Sequence, residues 1–152
     1  MYNDRTAAAA VIAREAAGSI RFTREPHVGR TIAYWVTTGL TAAAYALGGY
    51  FDVAQPAEVA DGAKHLGFPL YFFTILGVWK LGAAPVVLAP GLPRLKEWAY
   101  AGIVINLTGA AATHMFVKDP IGEAVTPLIV LAIAMASWAL RPASRKLAGP
   151  WL

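Results

Sequence analysis

The sequence predicts an all-α membrane protein: a polytopic four-helix bundle with its N- and C-termini cytoplasmic. Composition is the first observation, since 57% of the 152 residues are hydrophobic and only 14% charged, against a soluble norm near 25%. The second is the presence of four apolar segments, Thr31–Phe51, Leu66–Leu88, Trp98–Val117 and Ala124–Leu140. Each reaches or approaches the roughly 20 residues a helix needs to cross a bilayer. The third is charge placement. Arg5, Arg14, Arg21, Arg24, Arg30, Arg94, Lys96, Arg141, Arg145 and Lys146 fall in the N-terminal arm, the second connection or the tail, which four antiparallel spans place on one side. Lys64 and Lys118 fall on the other, and such a bias sets the basic side inward. The net charge of +4 is then a topology determinant that also attracts anionic membrane lipid, and nucleic acid is not an expected partner.

The elements follow in order. Residues 1–28 form a basic N-terminal arm whose Ala-rich stretch, Thr6 to Gly18, suits either an interfacial helix or disorder. They lack the order of basic start, unbroken apolar core and cleavage site of a secretory signal. Residues 29–142 form the four-span bundle, and residues 143–152 a cytoplasmic tail. The outer loop from Asp52 to His65 contains Pro56, which suits the start of a short amphipathic helix with Val59 and Ala63 on one side. Ala89-Pro90-Gly91-Leu92-Pro93 is a sharp turn that makes the second and third spans antiparallel neighbours. Lys118-Asp119-Pro120-Ile121-Gly122 does the same for the third and fourth. Small residues recur as Gly39 with Ala43, Gly77 with Ala84, Gly102 with Gly109 and Ala110, and Ala132 with Ala136, predicting close helix approach at those positions. Trp35, Trp98, Trp138, Tyr50, Tyr71 and Tyr100 are girdle candidates.

Lys80 is the residue that departs most from a plain span. It lies about nine residues, or roughly 13 Å, from the nearer end of its apolar run, and a charge there costs roughly 2.5–3.5 kcal/mol on insertion scales. Such residues usually face the bundle interior; the alternatives are snorkelling and a role limited to helix register. Asn106 falls at matching depth on the third span, within a stripe of Gly102, Gly109, Ala110 and Thr113, and is the expected hydrogen-bond partner of Lys80. Glu97 sits about half a helical turn round from Asn106 and is expected to pair with Arg94 or Arg141. His114 ends the third span, near Asp52, His65 and Asp119 by topology. Metal binding, haem ligation and proton transfer are open to it, as is a plain bond to a backbone carbonyl. No metal set is predicted, because the histidines come from separate elements without a ligand spacing.

With no cysteine in the chain, thiolate catalysis, disulfides and iron–sulfur ligation are excluded. Ser19, Ser137 and Ser144 lack a nucleophile-elbow context, and there is no dinucleotide or phosphate-loop glycine motif.

Gly67-Phe68-Pro69-Leu70-Tyr71-Phe72, Leu76-Gly77-Val78-Trp79-Lys80-Leu81-Gly82, Pro93 to Gly102, Gly109 to His114 and Ser137 to Pro142 together resemble the DoxX-like family of small bacterial four-span proteins. Thr113 stands where the family often has serine. The resemblance covers residues 30–142 and matches Pro69, Tyr71, Lys80, Glu97, Tyr100 and His114. It implies an inner-membrane multi-pass subunit or scaffold in a redox-linked, quinone-associated assembly. Lys80, Asn106, Tyr71 and His114 would be the cofactor-binding residues, with a quinone as ligand and haem as the alternative. A protein partner or homo-oligomer would then be expected. The competing reading is a small membrane enzyme of isomerase or epoxide-opening type acting on an apolar small molecule, with Lys80, Glu97 or His114 as acid–base groups. A carrier or channel would require an oligomer.

Overall fold

A computed structural model describes residues 28–147. These residues contain five α-helices: α1 (Val28–Ala54), α2 (Ala57–His65), α3 (Leu70–Leu88), α4 (Pro93–Phe116) and α5 (Ile121–Leu140). A 3-10 turn, Ala143–Arg145, follows, and there is no strand among the described residues. The all-α expectation holds. The expectations for residues 1–27 and 148–152 lie outside the described residues.

Each boundary has a local cause. Pro56, Pro69 and Pro120 stand immediately before α2, α3 and α5, and Pro93 opens α4, because proline's missing N–H is no loss in a first turn. The structure starts α3 at Leu70 rather than at the expected Leu66. The reason is Gly67, whose φ of 77° ends α2 in a left-handed turn closed by Phe68 N–H on Ala63 O at 2.9 Å. Lys118, at φ 60°, ends α4 similarly, with Asp119 N–H on His114 O at 3.0 Å.

The long helices pack antiparallel. α1 lies against both α3 and α5, and α5 also packs on α4, whereas the α3–α4 seam is much lighter. Gly49 and Gly77 set the α1–α3 crossing. A Cβ on Gly77 would lie 2.8 Å from Gly49 O and 2.7 Å from a Val53 methyl, so the backbones approach too closely for any side chain. Of the predicted small-residue pairs, Gly77 with Ala84 is buried. An added Cβ at Gly39, Gly102 or Gly109 would meet nothing within 4 Å, so those positions do not mark close packing.

The surface is inside-out relative to a water-soluble helical protein. Trp79, Trp98, Ile105, Phe116 and Ile121 are exposed, while Thr38, Thr41, Ser137, Asp52, Lys96 and Arg141 are buried. Apolar atoms outward and hydrogen-bonded polar groups inward is what lipid selects. By length and composition two helices, α3 and α5, are apolar enough to cross a membrane, and only 17% and 22% of their apolar windows are buried. α1 and α4 carry the threonines, tyrosines and charges that the structure turns inward. Tyr100 is among them, buried rather than in a girdle.

Candidate functional site

The light α3–α4 seam leaves a groove. Its lower part is a cavity of about 500 Å³ lined by Leu76, Trp79, Ala83, Val86, Trp98, Gly102 and Ile103, with Tyr45, Lys80 and Asn106 as its polar groups. Its upper part, about 520 Å³, is bordered by Phe68, Phe72, Phe73, Thr113, His114 and Glu123. Leu76, Lys80, Ile105 and Asn106 line both, so the two cavities meet at a polar waist. Gly102 and Gly109, expected as packing positions, line this groove instead. With no helix pressed against them, they leave room on α4. Phe68 stacks on Phe72 at 4.8 Å and 14°, and both border the upper part.

Lys80 and Asn106 therefore line one groove, but they are not hydrogen-bond partners. Lys80 Nζ donates to Asp52 Oδ2 at 2.7 Å, and Asn106 Oδ1 accepts from Tyr45 OH at 3.2 Å. Asp52, expected in the outer loop, lies within α1, which continues to Ala54. The Gly49–Gly77 contact then brings the end of α1 against α3. Gln55 Nε2 pins this junction by donating to Leu70 O at 3.1 Å and Thr74 Oγ1 at 2.7 Å. An ammonium in a largely apolar region is tolerable when a carboxylate matches it.

Asp52, being committed to Lys80, does not join the histidines. His114 Nδ1 and His65 Nε2 instead reach the two oxygens of Asp119, at 2.7 and 2.6 Å. The left-handed turn at Lys118 makes this possible, because it folds Asp119 back onto the helix end that carries His114. The three side chains tie α2, α4 and the α4–α5 turn together. Among the described residues no group of three or more His, Asp and Glu is arranged to hold a metal ion. The hydrogen bond from His114, then that from His65, holds the Asp119 carboxyl below its ordinary value. A depressed carboxylate contributes stability above its unfolded pKa of about 3.9 and loses it as pH falls through the lower folded value. Amide exchange in α2 should thus be unchanged by this group from neutral pH to about 4 and rise below that. Asp119→Asn should raise the exchange at neutral pH and flatten the acid response; an unaltered profile would dismiss the clasp.

The opposite end holds Glu97. It accepts from Arg141 Nη2 at 2.7 Å and from Trp138 Nε1 at 2.9 Å, so of the two expected partners it takes Arg141. Ser137 links Thr38 at 2.6 Å and Tyr100 at 2.7 Å, and Arg141 lies over the Tyr100 ring at 5.2 Å. Sequence reading missed Lys96, which is 0% exposed. It donates to Val86 O and Val87 O at 2.6 and 2.7 Å, two of the carbonyls orphaned at the C-terminus of α3. Arg145 Nη1 takes Leu88 O at 3.0 Å, and Ala89 N–H closes Pro85 O at 2.9 Å. All four terminal carbonyls are satisfied, three by cations that also suit the negative end of the helix dipole. Tyr71 is 67% exposed and lines neither part of the groove.

A family model described as the DoxX-like family matches residues 36–137. That stretch spans α1 from its third turn, the whole groove and nearly all of α5. The chain belongs to the DoxX-like family. This DoxX-like membrane protein matches no curated protein and no solved structure, so the roles of Lys80, Asp52 and Asn106 rest on their own geometry.

Proposed function

We propose that this DoxX-like protein is a four-span inner-membrane subunit or scaffold of a redox-linked assembly, holding an apolar ligand of quinone type between α3 and α4. The observation that carries the reading is the open α3–α4 groove with one polar waist. A flat ring with carbonyl oxygens suits the aromatic lining that Phe68 and Phe72 provide and the donors at Lys80 and Asn106. A hydrocarbon tail matches the lower cavity, where the walls are nearly all apolar. The four helices run through the bilayer with the basic end cytoplasmic, because α1 and α4 turn their polar groups inward and the positive charges gather at one end. Lys80, Asn106 and His114 are the groove's ligand-facing polar residues, and Tyr71 faces the lipid or a protein partner.

The enzyme alternative keeps one supporting observation. His114 borders the upper cavity with Nδ1 held by Asp119, the arrangement that orients an acid–base imidazole. Glu97 and Lys80, the other acid–base candidates, are each held in an ion pair.

Binding of a short-chain quinone analogue to the purified protein tests the proposal. Gly102→Phe adds bulk to the groove where a Cβ meets nothing within 4 Å, so it should leave the fold intact and abolish binding. Asn106→Leu should weaken binding by about 1 kcal/mol, the net worth of one hydrogen bond. Full affinity in Gly102→Phe would remove the groove as the site.

A further inference from the structure

We propose that the basic end carries a second site, separate from the groove, that holds a phosphate-bearing anion between the end of α5 and the tail, gripped by Lys146 beside Arg141. A cavity of about 310 Å³ opens there, lined by Glu97, Trp138, Ala139, Arg141, Lys146 and Leu147. Charge balance is the first support. Lys96, Arg141, Arg145 and Lys146 converge on this end of the helices, and Glu97 is the one carboxylate there among the described residues. Glu97 neutralises Arg141. Among the described residues Lys96 and Arg145 are bonded only to carbonyl oxygens and the Tyr34 hydroxyl, which cancel none of their charge. Lys146 makes no ion pair among the described residues. Clustered cations without matching anions make a strong local positive potential that attracts a counter-anion.

The second support is a donor left over. Arg141 is 2% exposed, and its Nη1 is buried without a hydrogen-bond partner among the described residues. Its Nε and Nη2 are committed to Trp138 O and Glu97. An unmet buried guanidinium donor is costly, and a guanidinium beside a lysine is a common phosphate-recognising pair. Trp138 borders the cavity as an interfacial anchor does. A phospholipid headgroup and a free phosphate present the same chemistry, and the test separates them.

Native mass spectrometry of the full chain would follow retained phosphatidylglycerol and phosphatidylcholine, with Lys146→Gln compared against Lys118→Gln at the far end. The wild type and Lys118→Gln should retain phosphatidylglycerol over phosphatidylcholine, and Lys146→Gln should lose at least about threefold of that retention, as removal of one charge-assisted contact implies. Inorganic phosphate alone, if it raises the Tm of delipidated protein as far as phosphatidylglycerol does and fails to do so in Lys146→Gln, assigns the site to free phosphate. Equal retention of the two lipids, or anion binding undiminished in Lys146→Gln, overturns the proposal. Quinone-analogue binding should be the same in Lys146→Gln and wild type, so the two sites fail or stand separately.

Discussion

Asp52→Leu should destabilise the folded protein by about 3–5 kcal/mol, the range found when one partner of a buried ion pair is removed. The Asp52–Lys80 pair is only partly shielded, with side chains 10% and 22% exposed, so the lower end is expected. The loss comes from the ammonium left behind: Lys80 would have to give up its charge, withdraw towards an interface or admit water into the groove. Lys80→Met alone should also destabilise, since it leaves the Asp52 carboxylate, the less exposed of the two groups, without its cation. The double variant Asp52→Leu, Lys80→Met should recover most of the stability, because apolar replacements of a matched pair are often close to neutral. Unfolding in mild detergent gives the three values as a double-mutant cycle. A double variant as unstable as Asp52→Leu would mean that the pair does more than neutralise itself, for instance by shaping the groove. The experiment also bears on function, since a groove that keeps its shape without the pair can be tested for ligand binding free of folding effects.

Lys96→Met should be nearly as damaging, at about 3 kcal/mol, because it removes two charge-assisted hydrogen bonds and leaves Val86 O and the buried Val87 O without their donor. The effect should be local first. Amide exchange in the last turn of α3 should accelerate, while the Gly49–Gly77 crossing near the middle of that helix stays protected. The neighbouring Arg94 is exposed and two residues away on the helix, about 200° round from Lys96, so it does not take over the lost contacts. Unchanged exchange at Val86 to Ala89 would show that those carbonyls find other donors and that the capping role is dispensable.

Much of the candidate site was legible in the chain, but not its pairings. Lys80 announced itself as a charge in an apolar run, and Asn106 as its level neighbour on an antiparallel helix. Asp52 was hidden by its position at the end of an apolar segment, where a carboxylate reads as the first residue of a loop. The available signal was Gly48-Gly49 just before it: one turn of helix places Asp52 on the same face as the glycines that meet α3. Lys96 was hidden for a different reason. Beside Arg94 in a Pro-Gly turn, it reads as a solvated topology charge, and nothing local says that α3 ends with its carbonyls facing it. Topology grouped the histidines with Asp119, which they reach, and with Asp52, which is committed to Lys80 instead.

By itself the amino-acid order determined the helical class, the turns between the helices to within a few residues and the gathering of positive charge at one end. Those properties depend on local chemistry: apolar length, proline and glycine backbone limits, and charge counts between breakers. Only the tertiary structure decided which small residues touch, which carboxylate meets Lys80 and where a groove remains. A helix presents several faces, and the choice among them depends on how closely two backbones can approach. That choice was made at Gly49 and Gly77, where the absence of side chains lets α1 and α3 close, leaving α3 and α4 apart.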